Sequence, residues 1–333
     1  MKTVDRTQNF DYLPGSIREP LFQNICNEKI KGFGHSKASA LVNQKAKCHF
    51  VHHFDPFLKL GPFNLEVKLY YPFRTVVHDF FTEKEMSWMM EYSKPRLTAA
   101  RSPPASSASL TKSQLRFGST AQTVEKAVTT WIEDIKYNEE QQYIKVSGEG
   151  EPIELDLPPL NDTYGFSIKH QLLLDISRRI ELFTVMNVTT RHGATSYQTT
   201  NYGLSGMVVT HFDPWGYEKG TGLVDDRAHL VRTGDYIATF MGWFKDTLAG
   251  GNTGFIEKDY EGILEPTKGS AAFWINLSSC HYKDTRSQHG GCPVLKGSKW
   301  ILNKWIYSWD QWKRWPCYSE PYGTIHPFGG MTS

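Results

Sequence analysis

The amino-acid sequence predicts an α+β fold in which helices come first and an antiparallel β core follows. After about residue 190, short alternating runs are separated by Gly, Pro, Asp and Ser turns, a pattern typical of a β-sandwich or barrel. Before that point, three segments have the capping residues or the apolar spacing of helices. Aromatic residues make up 14% of the chain, which favours a β-rich core or a broad binding groove.

Length and charge restrict the class of protein. At 333 residues the chain can form one large domain or two smaller ones. Lys and Arg number 37 against 35 Asp and Glu, so the chain lacks the basic excess of a nucleic-acid-binding protein. No run of about 18 apolar residues occurs, and the sequence therefore predicts no membrane span.

The N-terminal segment is predicted to be irregular, and a strand and a helix are expected after it. Residues 1–65 are rich in Gly, Pro and His and show no periodic pattern. The run TVVHDFF at 75–81 predicts a strand through its β-branched and aromatic residues. Thr82 and Glu85 have the spacing of a capping box, and a helix is expected to begin after them.

Two further helices are predicted before the β core. Residues 102–114 are rich in Pro and Ser and predict a loop. Apolar residues at helical spacing predict one helix over 119–137 and another over about 169–186. Between them, residues 137–166 are polar and aperiodic and are expected to form a surface insertion. Strands are then predicted in the runs SYQTTNY, GMVVTHFD, DYIATFMGWF, SAAFWINL and WILNKWIYSW.

The tetrapeptide HFDP occurs twice, at His53–Pro56 and at His211–Pro214. A His and an Asp two residues apart on a strand point to the same face of a sheet, so either copy offers two metal ligands. The first copy has no strand pattern around it and is interpreted as a connecting loop. The second copy ends the strand-like run NYGLSGMVVTHFD, which makes His211 and Asp213 the stronger candidates.

A third ligand and a cation follow downstream. His289 precedes another predicted strand, and His-x-Asp with a distant His is the 2-His-1-carboxylate triad of Fe(II) oxygenases. This triad leaves positions on the ion open for a co-substrate and oxygen. Lys299 lies ten residues later, where a return strand can bring its ammonium group beside the metal. There it can hold the far carboxylate of a dicarboxylic acid.

Longer motifs occur around these residues in a specific order. They are VVHDFFTEKEM, KPRL, SYQTTNYG, THFDP, IATF, AGGNTGF, KGSAAFWINL, SQHGGCPVLKGSKWILNKW and RWPC. In these motifs, over roughly residues 20–318, the chain resembles the catalytic domain of the α subunit of animal collagen prolyl 4-hydroxylases, which belong to the Fe(II)/2-oxoglutarate dioxygenase superfamily. The resemblance implies a double-stranded β-helix, or jelly roll, preceded by supporting helices. It also implies Fe(II) and L-ascorbate as cofactors, with 2-oxoglutarate and O2 as co-substrates.

The same resemblance assigns roles to individual residues. The metal ligands would be His211, Asp213 and His289, and no catalytic residue is expected beyond the iron centre. Lys299 would anchor 2-oxoglutarate, with Tyr202 and Thr253 as hydrogen-bonding helpers and Trp305 close by on the last strand.

Three positions on the substrate side depart from the family pattern. Val208 stands where the family usually has Tyr, and Tyr236 replaces an Arg that helps to hold the peptide. Tyr307 replaces a His near the reactive end of 2-oxoglutarate. The resemblance therefore implies a dioxygenase that hydroxylates peptidyl proline with altered peptide specificity. The alternative is a non-catalytic jelly-roll subunit that binds a partner chain.

Domain limits and disulfides also follow from the resemblance. The expected domains are an irregular segment (1–65), a dioxygenase domain (66–318) and a tail (319–333). Within the dioxygenase domain, a helical part (66–189) precedes a jelly-roll core (190–318). Cysteine spacing leaves the pairing open. The resemblance implies the bridges Cys26–Cys48 and Cys292–Cys317, with Cys280 as a free thiol.

Location and partners are expected from the same family. It resides in the endoplasmic reticulum lumen with protein disulfide isomerase and acts on collagen-like, proline-containing peptides. Three glycosylation acceptors, at Asn161, Asn187 and Asn276, agree with a lumenal location. The first residues lack an apolar signal segment, which a missing N-terminal part would explain, and a cytosolic location is the alternative.

Overall fold

The computed structural model describes ten stretches of the chain. These are residues 20–27, 48–53, 55–100, 124–134, 163–190, 192–214, 217–218, 222–223, 234–257 and 260–316. The predicted loop at 102–114, most of the predicted insertion at 137–166 and the tail at 319–333 lie outside them.

Three α-helices occur in the described residues: α1 (Pro20–Cys26), α2 (Glu83–Ser93) and α3 (Thr163–Thr184). The predicted capping box begins α2. The Thr82 hydroxyl accepts a hydrogen bond from the Glu85 amide at 3.2 Å, and the Glu85 carboxylate accepts one from the Thr82 amide at 2.8 Å. None of these described helices is both long enough and apolar enough to cross a membrane.

The described strands are numbered β1 to β16 in chain order. They are β1 (Cys48–Val51), β2 (Phe63–Tyr70), β3 (Phe73–His78), β4 (Thr98–Ala99), β5 (Val124–Ile132), β6 (Tyr197–His211), β7 (Tyr217–Glu218), β8 (Gly222–Leu223), β9 (Tyr236–Trp243), β10 (Ala249–Gly250), β11 (Thr253–Phe255), β12 (Gly262–Leu264), β13 (Ala271–Ile275), β14 (His289–Gly291), β15 (Val294–Lys296) and β16 (Lys299–Tyr307). Twelve of them form one curled antiparallel sheet in the order β1-β2-β3-β13-β9-β16-β6-β14-β11-β12, with β5 on the other edge of β6 and β4 beyond it. The predicted α+β fold with a jelly-roll core is confirmed.

Strand β6 joins the two walls of the jelly roll. Its first part pairs with β16, where Tyr202 lies opposite Lys299. Its last part pairs with β14, where His211 lies opposite His289. One strand thus brings both halves of the candidate site into register.

The two faces of the main sheet have different surroundings. One face packs against α3, where the Phe183 ring lies 6.4 Å from Phe240 and 5.9 Å from Phe273. The inner face carries a second apolar cluster that includes Trp243, Phe255 and Trp274. Helices therefore cover the outer face, and the inner face is left to line the site.

The predicted helix over 119–137 is wrong, because its described part is strand β5. Six residues of this strand are β-branched or aromatic and suit a pleated surface, namely Val124, Val128, Thr129, Thr130, Trp131 and Ile132. β5 pairs with β6 over most of its length, with Thr129 opposite Thr200. Tertiary pairing thus outweighs an apolar spacing that also fits a helix.

Two other expectations on the N-terminal half also need correction. Residues 1–65 are not wholly irregular, because α1, β1 and the start of β2 lie there. The predicted helical part, 66–189, contains most of β2 and all of β3, β4 and β5 besides α2 and α3. The predicted strand at 75–81 ends at His78, and Phe80 and Phe81 turn into the core as buried side chains.

Both implied disulfide pairings are wrong, because the structure joins Cys26 to Cys292, with 5.3 Å between their Cα atoms. Helix α1 packs on β11 and β14 at two glycines. A Cβ at Gly290 would lie 2.8 Å from Phe22, and one at Gly254 would lie 2.7 Å from Ile25. This close packing brings Cys26 to the end of β14.

The other cysteines and the glycosylation acceptors are placed as follows. Cys48 is free and exposed, Cys280 is free as expected, and Cys317 lies outside the described residues. Asn276 is fully buried, so this triplet is not an acceptor in the folded chain. Asn187 is half-buried and donates to Asp310, and Asn161 is outside the described residues.

A buried ion pair fixes the last strand from its outer face. The Lys304 ammonium donates to the Asp134 carboxylate at 2.6 Å and to the Thr195 carbonyl at 2.9 Å. The Ser177 hydroxyl of α3 donates to the same carboxylate at 2.8 Å. The pair therefore ties β16, α3 and the end of β5 together.

Replacing Lys304 with Met is expected to lower the free energy of unfolding by about 3–5 kcal/mol, because Asp134 is left buried without its cation. Denaturation in guanidinium chloride measures the loss. A double variant, Lys304→Met with Asp134→Leu, is expected to lose less. Lys94→Ala removes an exposed pair with Glu91 and should change stability little. A loss for Lys304→Met no larger than for this control would contradict the role of the pair.

Candidate metal centre

The three predicted metal ligands lie at neighbouring strand ends. His211 is the last residue of β6, His289 is the first residue of β14, and the two residues are register partners. Asp213 follows two residues after β6 ends. One donor atom from each residue lies within 4.8 Å of the others, and this triad is the metal-ligating group found in the described residues.

Backbone hydrogen bonds orient both imidazoles toward the carboxylate. The Nδ1 atom of His211 lies 2.8 Å from the Val209 carbonyl, and that of His289 lies 2.8 Å from the Ser287 carbonyl. Because a carbonyl only accepts, Nδ1 carries the hydrogen and Nε2 keeps its lone pair. The Nε2 atoms lie 3.6 and 3.7 Å from the Asp213 oxygens, too far for hydrogen bonds but suited to an ion between them.

A chain of two hydrogen bonds holds the carboxylate in place. Thr239 donates from its hydroxyl to Asp213 Oδ2 at 2.6 Å. Asn276 in turn donates from its side-chain nitrogen to the Thr239 hydroxyl at 2.8 Å. The sequence interpretation missed both residues, although they lie in the motifs IATF and KGSAAFWINL that carried the resemblance.

The charge states of the triad suit a divalent cation. Burial would raise the pKa of Asp213, but His289, His211 and the Thr239 hydrogen bond together hold it below its usual range. Burial lowers the pKa of His289 to about 4. Burial opposes protonation of His211 too, yet the pair with Asp213 raises its pKa. One carboxylate and two imidazole nitrogens are a donor set that fits Fe(II).

Aromatic residues shield the triad from one side. The Trp274 ring lies 5.0 Å from the His289 ring in an edge-on arrangement, and the Phe255 ring lies 5.4 Å away. The Arg74 guanidinium stacks 3.9 Å from the Phe255 ring. This packing fixes the His289 ring and keeps water from its apolar side.

Lys299 lies on the inner face of the same barrel with little exposure, 3%. Its ammonium donates to the Thr253 hydroxyl at 3.4 Å and lies 5.7 Å from the Tyr202 ring. Burial lowers the pKa of Lys299 to about 7, and no acidic side chain among the described residues counters that effect. Thr253 and Tyr202, expected to help in binding, therefore do lie beside Lys299.

Strand pairing links the surroundings of Lys299 to the metal triad. Thr253 is on β11, which pairs with β14, so that Phe255 lies opposite His289 and Thr253 opposite Gly291. Two strands thus run from the cation to the metal ligands.

The other predicted positions lie on strands β6, β9 and β16, near the residues that carry or hold the triad. Trp305 is the register partner of Thr239, the residue that holds Asp213. The Tyr236 ring stacks 5.8 Å from Trp305 and 5.4 Å from Tyr307. Val208 lies on β6 opposite Gly291, next to the strand that carries His289. The structure thus brings Trp305, Tyr236 and Tyr307 together and places Val208 beside β14, and the roles of all four stay predictions.

The first HFDP copy does not join the site. His53 bonds through Nε2 to the Phe183 carbonyl at 3.0 Å. Asp55 accepts hydrogen bonds from the amides of Phe57 and Leu58 and so caps a turn. These contacts agree with its interpretation as a connecting segment.

A jelly roll with a His-x-Asp…His triad at its strand ends is the architecture of Fe(II) oxygenases with a facial triad. By sequence, the chain is related to the α subunits of prolyl 4-hydroxylases, and the resemblance stated from the motifs is confirmed. It is 27% identical over 274 residues to subunit alpha-3 of Mus musculus, covering 82% of this chain and 41% of that one. It is 28% identical over 311 residues to subunit alpha-2 of Caenorhabditis elegans, covering 92% of this chain and 46% of that one.

A shorter match has higher identity: subunit alpha-1 of Bos taurus is 37% identical over 142 residues, covering 43% of this chain and 25% of that one. The chain spans less than half the length of these curated relatives. No protein-family model matches it.

Solved structures of prolyl hydroxylases are also similar. A viral collagen prolyl hydroxylase from Paramecium bursaria Chlorella virus-1, in its 2OG complex, aligns with a TM-score of 0.42 and 16% identity, covering 70% of this chain and 95% of that one. A prolyl hydroxylase from Trichoplax adhaerens, in complex with a peptide fragment of hypoxia inducible factor, aligns with a TM-score of 0.40 and 12% identity. The alignment covers 72% of this chain and 85% of that one.

Replacing Thr239 with Val is expected to weaken Fe(II) binding by about 10- to 100-fold, because Asp213 loses the hydrogen bond that orients it. Anaerobic titration of the purified protein measures the dissociation constant. Thr267→Val, at an exposed position, is the matched control. Unchanged Fe(II) affinity in Thr239→Val would show that Thr239 does not position the ligand.

Proposed function

We propose that this chain is a Fe(II)- and 2-oxoglutarate-dependent dioxygenase that hydroxylates proline in a peptide substrate. The observation that carries the proposal is the placement of an oriented His-Asp-His triad and a buried lysine on one continuous inner wall. Its relatives in sequence are named prolyl 4-hydroxylase subunits, which supports the choice of reaction.

Each group at the site has a defined task in this proposal. His211, Asp213 and His289 hold the metal, and Thr239 fixes the carboxylate. With 2-oxoglutarate and O2, the bound iron supplies the oxidising chemistry, and ascorbate is its proposed reductant. Because the oxidation is carried by the metal, no side chain is assigned as acid or base.

Lys299 is assigned to the far carboxylate of 2-oxoglutarate. A buried ammonium without an anionic neighbour is costly, and a carboxylate beside it would restore a charge-assisted hydrogen bond. The Thr253 hydroxyl, 3.4 Å from this ammonium, would donate to the same carboxylate. The co-substrate would then lie between Lys299 and the metal.

Altered peptide specificity is part of the proposal. Val208, Tyr236 and Tyr307 stand where the family resemblance leads us to expect Tyr, Arg and His. Each polar partner group left unpaired in a buried substrate costs about 1–3 kcal/mol. A peptide that pairs with those polar groups in relatives would therefore bind this chain more weakly.

For location we propose an oxidising compartment such as the endoplasmic reticulum lumen. The Cys26–Cys292 bridge supports this, because disulfides persist in oxidising compartments. Protein disulfide isomerase is the proposed partner, on the basis of the family resemblance.

The test is succinate release by purified protein with Fe(II), ascorbate and 2-oxoglutarate, with and without a (Pro-Pro-Gly)n peptide. A His211→Ala variant serves as the blank. Peptide-stimulated succinate and a mass increase of one oxygen on proline are expected. Peptide-independent succinate would redirect the proposal to another substrate. No succinate above the blank would favour a non-catalytic subunit, an alternative that the replacements at Val208, Tyr236 and Tyr307 also suit.

The affinity for 2-oxoglutarate is expected to fall as the pH rises above about 7, by up to about tenfold per pH unit. Burial lowers the pKa of Lys299 to about 7, and only its protonated form binds the carboxylate. Below this pH the lysine is already charged, so its contribution no longer changes. Titration of the Mn(II)-loaded protein from about one pH unit below this pKa to about two pH units above it measures the dependence.

Lys299→Arg is the matched variant, because Arg remains charged over this range. Its affinity should show a flatter pH profile than that of the wild type. An equally steep fall in both proteins would assign the pH dependence to another group.

A further inference from the structure

Arg74 is a buried cation to which the proposed reaction assigns no task. It lies on β3, is 1% exposed, and is the register partner of Trp274 on β13. Burying a guanidinium group is costly unless its donors are satisfied. The contacts of those donors therefore show which parts of the chain Arg74 holds in place.

The Arg74 guanidinium donates to two backbone carbonyls that are far apart along the chain. One Nη atom donates to the Tyr260 carbonyl at 2.7 Å, between β11 and β12. The other Nη atom donates to the Arg286 carbonyl. Arg286 belongs to a 3-10 turn (Thr285–Ser287), here called the ligand turn, that ends two residues before His289. Arg74 thus joins β3 to the backbone that leads into a metal ligand.

The ligand turn orients the His289 ring. The Ser287 carbonyl lies 2.8 Å from the Nδ1 atom of His289 and accepts its hydrogen. A bidentate pair braces the turn, because the Arg286 guanidinium donates to the Asp284 carboxylate at 2.8 and 2.6 Å. The Arg286 and Ser287 carbonyls are neighbours in the chain, so a shift of the turn would also rotate the imidazole.

A second path reaches the same imidazole through Phe255. The Arg74 guanidinium lies 3.9 Å from the centre of the Phe255 ring. That ring lies 5.4 Å from the His289 ring, with 35° between the two planes. A cation over a ring face is attracted by the negative charge of the π-system, most strongly where water is excluded. Phe255 is therefore held between a cation and a metal-ligating imidazole.

The ligand turn is also linked to the support of the carboxylate ligand. The Asn276 side chain donates to the Thr239 hydroxyl, which donates to Asp213. The Asn276 carbonyl accepts a hydrogen bond at 2.9 Å from the amide of Asp284, the N-cap of the ligand turn. Asn276 thus connects the support of Asp213 with that of His289.

We propose that Arg74 is a positioning residue of the metal centre: its guanidinium fork holds the ligand turn and Phe255 so that His289 stays directed toward Asp213. The inference rests on the metal centre of the proposed function. Arg74 lies outside all the motifs that indicated the site. Its geometry matters beyond its charge, because a compact ammonium group cannot hold two carbonyls and cover a ring face as a planar fork does.

The test measures anaerobic Co(II) binding by the full chain, followed by the visible absorption that Co(II) acquires on coordination. Arg74→Met keeps an unbranched side chain and removes the fork. It is expected to weaken Co(II) binding by about 10- to 100-fold, as loss of a group that orients a metal ligand does. The absorption bands of the saturated variant should also differ from those of the wild type, because His289 can rotate. Arg74→Lys should resemble Arg74→Met more than the wild type.

Lys304→Met is the matched control, because it removes an equally buried cation from the outer face of β16. It is expected to lower stability, yet its Co(II) affinity and absorption bands should equal those of the wild type. Phe255→Leu keeps the site apolar and leaves the hydrogen bonds of Arg74 in place, so it tests the ring path in a chain that retains its buried polar contacts. It should weaken Co(II) binding by about tenfold.

Four results would each overturn the inference. They are wild-type affinity and absorption in Arg74→Met, full recovery in Arg74→Lys, wild-type affinity in Phe255→Leu, and a loss of affinity in Lys304→Met as large as in Arg74→Met.

Succinate release separates this inference from the proposed function. Co(II) binding that depends on Arg74, with no succinate from the Fe(II)-loaded wild type, would leave the inference in place and overturn the dioxygenase proposal. Peptide-stimulated succinate from the wild type, with wild-type Co(II) affinity in Arg74→Met, would overturn the inference alone.

Discussion

The pairing of strand β6 is the constraint on which the rest of the site depends. Along one edge, this 15-residue strand pairs first with β16 and then with β14. The first pairing places Lys299 opposite Tyr202, and the second places His289 opposite His211. Because a register shift of one residue would turn every side chain to the other face, the cation and the metal ligands can share a cavity only in this register.

The packing around this strand sets the electrostatic character of the site. Aromatic rings bury His289, and the inner wall buries Lys299 without an acidic neighbour among the described residues. Both groups resist charging there, as the lowered pKa values of about 4 and about 7 indicate. A metal that accepts imidazole lone pairs and a carboxylate that pairs with the ammonium would offset these costs. Ligand binding should therefore also stabilise the folded chain.

The sequence was sufficient where local pattern and tertiary structure agree. The alternating runs predicted the strands that carry His211, Thr239 and Lys299, and the capping box predicted the start of α2. Strand β5 was mistaken for a helix, because its apolar spacing fits both and only its pairing with β6 decides. The Cys26–Cys292 bridge depends on how α1 packs against two glycines, which spacing along the chain does not encode. Thr239 and Asn276 were missed because neither residue type signals metal chemistry without its neighbours.

The distribution of unchanged and replaced positions follows from the geometry of the inner wall. In the proposed function, the triad and Lys299 would contact a metal and a small co-substrate of fixed shape, so one change there would remove a donor. Tyr236, Trp305 and Tyr307 lie beyond Thr239 along β9 and β16, where a substrate chain would be held by several neighbouring contacts. At these substrate-side positions, an aromatic ring can replace a charged side chain if the neighbouring rings stack on the new ring. The rigid pairing of Lys304 with Asp134 on the opposite face keeps such exchanges from disturbing the strand that also carries Lys299. Substrate preference can therefore change while the metal centre keeps its geometry.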